Sequence, residues 1–259
     1  MWSDSPALPY TPAVPEAADL ITLGIETSNP SASARAAGAI ALASDTPDSP
    51  RGFRLLGMRA LHPGARHDDA LMPAVEALCV RCGVTPRDIG RITVSIGPGG
   101  FTGLRIAVTT ARFIAEAVDA ELVAVPSALV VAMKRRRLGR FAVLLASKRD
   151  TAWATCFESD EAGALRAPTD AATEGRIVDL ASLQALHREK QLEAIVADRH
   201  MPAPMRAWAE QENIRIAPPW FGAARCIEAA RRLTPVDRLQ LAPLYPREPE
   251  ALTKWRDRR

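Results

Sequence analysis

Apolar positions along this chain switch between a period of two and a period of three to four, and the switches mark its elements. Leu20-Ile21-Thr22-Leu23-Gly24-Ile25 is a short apolar run closed by the polar turn Glu26-Thr27-Ser28-Asn29-Pro30, which predicts a strand. Residues 34–42 and 53–60 predict two more strands, with the proline- and serine-rich stretch 44–50 as a hairpin loop between them. Asp68 and Asp69 offer N-terminal caps to a helix running to about Arg81, which Gly83 stops. Leu71, Val75, Leu78 and Cys82 form one stripe on it, and Pro73 fits there only near the first turn or as a kink. A strand over 91–96, a glycine-rich turn over 97–102, a helix over 103–118 and a strand over 121–125 follow. Three hairpin-linked strands and then helix–strand–helix–strand imply a mixed sheet with covered faces. Farther on, 141–146, 152–157 and 192–197 read as strands, and 127–137, 178–188, 202–212 and 222–233 as helices. No internal repeat stands out.

Composition narrows the class. The chain has 259 residues, 47% of them apolar, enough for one large domain or two lobes. A net charge of +3 is too small to point to nucleic acid without clustering. No apolar run reaches the roughly 18 residues of a membrane span. Residues 1–19, with Pro6, Pro9, Pro12 and Pro15, have neither the basic start nor the apolar stretch of a secretory signal and read as an extended leader. Four cysteines in such a length do not make a disulfide scaffold. These features predict a soluble cytoplasmic protein with no membrane partner.

The most informative stretch is Gly97-Pro98-Gly99-Gly100-Phe101-Thr102-Gly103-Leu104-Arg105-Ile106, which follows a strand and opens a helix. Free amides at a helix start favour anions, and glycines admit a close approach. The run nevertheless lacks both the G-x-G-x-x-G spacing and the Gly-Lys-Ser/Thr of a phosphate loop. Phosphate proximity and a tight strand-to-helix connector both remain open on these grounds.

That string resembles the GPGSFTGLRIG signature of the TsaB (YeaZ) family, with Gly100 where serine is usual. Leu23-Gly24-Ile25-Glu26-Thr27-Ser28 is similar to the family's opening LAIDTS strand, and His67–Pro73 to its HSERLLP helix start. Leu122–Ser127 resembles the strand entering the second lobe, and Pro243–Arg247 the PxYLR near the end. The usual DARRGEVY stretch is divergent here, at 146–153. The resemblance implies an α/β, actin-like (ASKHA) fold with two lobes built on ribonuclease-H-like mixed sheets flanked by helices. Its divisions would be a leader over 1–19, an N-terminal Gcp-like lobe over 20–126, a C-terminal lobe over 127–246 and a basic tail over 247–259.

It also implies a role. TsaB proteins pair with their paralogue TsaD, which transfers threonylcarbamoyl to the adenosine beside the anticodon of tRNAs reading codons that begin with A; TsaE, an ATPase, joins them. TsaD carries an HxxxH metal pair that falls here on Ser127 and Val131, and a valine offers no donor. None of His62, His67, His187 and His200 is spaced i, i+4 with another. The expectation is therefore a non-catalytic subunit with no catalytic or metal-ligating residue and no tightly bound cofactor. ATP or ADP with magnesium at the inter-subunit junction stays open, as does a homodimer without TsaD.

Several side chains are candidates within that reading. Glu26 ends the first strand, where ASKHA enzymes place a magnesium-linked acid, although a turn-capping role is the more economical one. With Gly97, Gly99, Gly100, Thr102, Gly103 and Arg105 it makes up the motif turn and any nucleotide-proximal site. Asp198 is a comparable lone acid. Leu71, Val75 and Leu78 on the first helix and Leu104, Val108, Ala111 and Ala115 on the second are the expected TsaD interface, since a helix apolar on more than one side is covered twice. Cys79 and Cys82 close a helix rather than open one, which favours buried thiols over a redox pair. The basic runs Lys134–Arg137 and 254–259 read first as solvated surface. The rival functions are an independent ASKHA transferase using Glu26 and the glycine turn, a metallopeptidase of the Gcp type and a self-associating structural protein.

Overall fold

In the computed structural model, residues 20–29, 37–46, 49, 52–62, 67–135, 137–166 and 175–247 are described. The leader 1–19 and residues 248–259 of the tail lie outside them. The chain begins β1 (Ile21–Glu26), β2 (Gly38–Asp45), β3 (Phe53–Leu61), α1 (His67–Cys82), β4 (Ile89–Gly97), α2 (Phe101–Val118), β5 (Glu121–Pro126) and α3 (Ser127–Lys134). The five strands form one sheet in the order β3-β2-β1-β4-β5, antiparallel through β3, β2 and β1 and parallel from β1 to β5. All six residues of β1 are buried. Pleating sends Ile21, Leu23 and Ile25 to one face, where they join the α1 and α2 core, and Thr22, Gly24 and Glu26 to the other.

The second half comprises β6 (Arg140–Lys148), β7 (Thr151–Glu158), β8 (Arg176–Val178), α4 (Leu180–Lys190), β9 (Ala194–Ala197), α5 (Ala203–Gln211), β10 (Arg215–Ala217) and α6 (Ala223–Ala230). Its sheet order is β10-β9-β6-β7-β8. In order along the chain this repeats the first sheet: an antiparallel meander, a helix, then two parallel strands added on the other side of the first. The sequence showed no repeat; the duplication is one of topology. The architecture is thus α/β with two mixed, ribonuclease-H-like sheets flanked by helices.

The third helix of each half lies between the halves. Residues 127–133 of α3 are all buried, and so are Ala223 and 226–230 of α6. A Cβ on Gly24 would stand 2.7 Å from Ile227 Cγ1 and 2.8 Å from the Ala223 carbonyl, so α6 packs directly on β1. After α6 the chain returns to the first sheet. The Val236 amide donates to the Leu122 carbonyl, Leu241 enters the first core, and Arg238 bonds to Asp119 and Glu116. The stretch 127–246 therefore includes a long segment packed on the N-terminal half.

Several boundaries differ from expectation. The first helix starts at His67, so Asp68 and Asp69 lie within it rather than capping it, and Pro73 sits in its second turn. β2 runs on to Asp45, into the expected hairpin loop, while residues 30–36 are not described. β8 and β10 were not foreseen: three residues each, they carry exposed arginines and too little apolar pattern to register. α3 ends at Lys134, short of the 137 that the sequence pattern predicts.

Candidate functional site

The glycine-rich turn is held on three sides by the protein's own backbone. The Gly100 amide donates to the Ser28 carbonyl at 2.6 Å, and Thr27 Oγ1 donates to the Gly103 carbonyl at 3.0 Å. A Cβ on Gly99 would lie 1.8 Å from that Ser28 oxygen, so no other residue allows the two segments to meet. From the third side, the Leu244 amide donates to the Ile96 carbonyl, and the Tyr245 ring lies 5.0 Å from that of Phe101. Arg105 projects outward over the Phe101 ring, and Thr102 is exposed beside it. α2 begins at Phe101 with Gly100 as an N-cap that offers no side-chain bond. These contacts make the turn a tight strand-to-helix connector.

Glu26 points into the seam between the first sheet and α6, and is 2% exposed. Its Oε1 accepts from the Ser28 amide at 2.7 Å and the Ser28 hydroxyl at 2.6 Å. Burial pushes its carboxyl above the ordinary value of 4.5, with the Ser28 bonds and the nearby Ser95 hydroxyl pulling it part of the way back. Of the two roles read for Glu26, its contacts are those of the turn-capping one: a buried acid bonded to its own turn. Around it, Glu26 Oε2, Thr93 Oγ1, Ser95 Oγ and Ser127 Oγ lack an aligned hydrogen-bond partner. Burial and the Glu26 charge drive the adjoining Cys226 thiol well above its usual range.

The residues assigned to a partner interface are in the core. Leu71, Val75, Leu78, Leu104, Val108, Ala111 and Ala115 are each at most 5% exposed. Helical periodicity identified residues that share a face but not what covers it; the cover is the protein's own sheet and the neighbouring helix. The outer faces of α1 and α2 instead expose Met72, Val80 and Phe113, the last two at 77% and 73%. Phe113, with Ile106, Ile114 and Ala117, reads from the sequence as apolar surface outside the main stripe of that helix, whereas Met72 and Val80 carry no such signal.

Ser127 and Val131, at the positions of the TsaD histidine pair, are both buried in α3. Among the described residues no three of His, Cys, Asp and Glu come together as a metal site. Cys79, Cys82, Cys156 and Cys226 are free thiols, and burial raises the Cys79 and Cys82 pKa values. Asp198 follows β9, where its Oδ1 accepts from the His200 amide at 2.8 Å and its Oδ2 from Asn29 Nδ2 at 3.4 Å, a link between the halves. Arg247 makes a second link, donating to the Ala146 carbonyl at 2.6 Å and to Thr151 Oγ1 at 2.7 Å. Among the described residues no helix is long and apolar enough to cross a membrane.

Known proteins resemble the chain in both sequence and fold. The chain matches the family described as TsaD, tRNA N6-adenosine threonylcarbamoyltransferase, over residues 63–211, more than half its length. It is 40% identical over 70 residues to the tRNA threonylcarbamoyladenosine biosynthesis protein TsaB of Bacillus subtilis (strain 168), a match covering 27% of this chain and 31% of that relative's length. Among solved structures it is similar to YeaZ from Pseudomonas aeruginosa, with a TM-score of 0.58 and 20% identity over 87% of this chain and 99% of that one. A structure described as similar to peptidase YeaZ from Pseudomonas aeruginosa also has a TM-score of 0.58, with 19% identity over 88% and 100% of the two chains. At those identities the likeness establishes the fold.

Proposed function

This chain belongs to the TsaB (YeaZ) branch of the TsaD family, and from that premise we propose that it takes part in threonylcarbamoyl modification of tRNA as a non-catalytic partner of TsaD. In this reading it pairs with TsaD and holds it in its active arrangement, while TsaE joins the pair. The chain supplies no nucleophile, base or metal ligand.

One observation carries the proposal. The groups that an ASKHA enzyme would turn toward a nucleotide are here bonded to the chain itself. Gly100 is spent on the Ser28 carbonyl, Gly99 is in steric contact with it, and Glu26 is occupied by Ser28. Serine and valine at the two metal-ligand positions, both buried, point the same way. Any nucleotide with magnesium would then sit at the junction with TsaD rather than within this subunit.

The contact surface we propose is the outer face of α1 and α2, centred on Met72, Val80 and Phe113. Exposed apolar anchors among polar residues are the usual energetic centre of an interface. Size-exclusion chromatography with purified TsaD tests this. Val80→Glu with Phe113→Glu should leave the fold intact and weaken pairing by about thirtyfold or more, as expected for anchors worth ~2 kcal/mol or more. An unchanged complex would place the contact elsewhere. Elution of this chain alone as a dimer that the same pair of substitutions dissolves would favour self-association on that face.

A further inference from the structure

We propose that the cleft bounded by the end of α3, β10 and α6 binds the phosphate backbone of RNA, with Trp220 as a platform for an unpaired base. The identity of the polyanion rests on the tRNA-modification reading above; the chemistry of the cleft does not.

The cleft has a volume of about 480 Å³ and is lined by Lys134, Arg135, Arg137, Arg215 and Arg225, with Glu228 as the single acid among its described lining residues. These five cations come from three elements far apart in sequence, so only folding brings them together. Two are fixed from below: Arg135 donates to the Pro218 carbonyl, and Arg225 is ion-paired with Glu228. The other three, Lys134, Arg137 and Arg215, form no ion pair with any described residue, and all three are exposed. Arg135 Nε is buried and has no acceptor. Five like charges around one cavity repel one another, and Glu228 offsets only one of them, whereas Arg91 and Arg238 each have two acids. A phosphate-bearing ligand would offset the rest.

The aromatic component separates RNA from a simple anion. Trp220 is 59% exposed, and Lys134 Nζ lies 5.6 Å from its ring centroid. A cation resting on one aromatic ring at the rim of a basic cleft is the arrangement in which a backbone phosphate and its own base are engaged together. Unpaired bases of an RNA loop are available for such stacking, whereas those of a duplex are not.

The test uses the full chain without TsaD and, as probe, a fluorescein-labelled, unmodified anticodon stem-loop RNA followed by anisotropy across a salt series. Arg137→Glu with Arg215→Glu should weaken binding at least about tenfold and reduce the salt slope by about 1.4 to 1.8, the contribution of two phosphate contacts. Trp220→Ala should weaken binding about fivefold or more and leave the slope unchanged. Arg59→Glu with Arg188→Glu, an equal charge change on other exposed residues, should have little effect. Equal losses in the control pair, or no loss in the cleft pair, would overturn the proposal. So would saturable binding of ATP or pyrophosphate, abolished by the cleft substitutions, by a chain that ignores the stem-loop; the site would then serve a small phosphorylated ligand. Because TsaD is absent, RNA binding survives a failure of the pairing proposal, and a failure to bind RNA leaves pairing intact.

Discussion

Replacing Gly99 by alanine probes the junction on which the non-catalytic reading depends. The added Cβ would lie 1.8 Å from the Ser28 carbonyl oxygen, 2.6 Å from its carbon and 3.1 Å from the Ser28 Cα. Ordinary carbon–oxygen contact begins near ~3.3 Å, so the two segments must separate by about 1.5 Å. Both are backbone, and no side-chain rotation relieves the clash. Separation breaks the 2.6 Å bond from the Gly100 amide to Ser28. An orphaned buried backbone group costs about 1–3 kcal/mol, and forced overpacking about the same again. A loss near ~4 kcal/mol follows, a large share of the ~5–15 kcal/mol typical of a folded domain. For a chain of this size it lowers the melting temperature by roughly 8–16 °C in scanning calorimetry. Gly83→Ala is the comparison: φ is 66° there, but a Cβ would meet nothing within 4 Å, so only the left-handed backbone penalty of about 1 kcal/mol applies. A Gly99→Ala protein melting within about 3 °C of the unsubstituted chain would refute the packed junction and return the turn to the status of an open loop.

Two further predictions concern the same region. Burial raises the Glu26 pKa above 4.5, so the folded chain holds that proton more tightly than the unfolded one; this contribution favours folding below pH 4.5 and is lost as pH rises through the folded value. Glu26→Gln should therefore melt higher than the original chain at pH 8 and lose the advantage toward pH 4, and a gap that widens as pH falls would contradict the burial argument. Gly100→Ser places a capping hydroxyl where α2 now has none and should stabilise by a few tenths of a kcal/mol in denaturant unfolding, whereas a loss of 1 kcal/mol or more would mean that the position cannot hold a side chain.

Much of this was legible in the sequence wherever local chemistry sets the outcome. β1, β4 and α2 follow from apolar runs broken by a polar or glycine-rich turn, and their residues lie about where the pattern put them. What periodicity could not supply was the identity of the cover. Leu71 and Ala111 lie on the stripes read as a partner face, yet both face the protein's own core; Phe113 belongs to the additional apolar surface of its helix and Val80 to no stripe, and these two are exposed. The equivalence of the two sheets was hidden because only strand order is shared. The basic cleft was half visible: Lys134–Arg137 is a run, but Arg215, Trp220 and Arg225 join it only through β10 and α6. Glu26 was placed at its strand end correctly, while its burial depends on α6, two hundred residues later.

Whether this chain depends on a catalytic sibling is decided by reconstituting tRNA modification from purified components. This chain alone should yield no threonylcarbamoyladenosine, adding TsaD and TsaE should give robust product, and Val80→Glu with Phe113→Glu should abolish it. Full modification by this chain without TsaD, or turnover abolished by Glu26→Gln, would contradict that dependence.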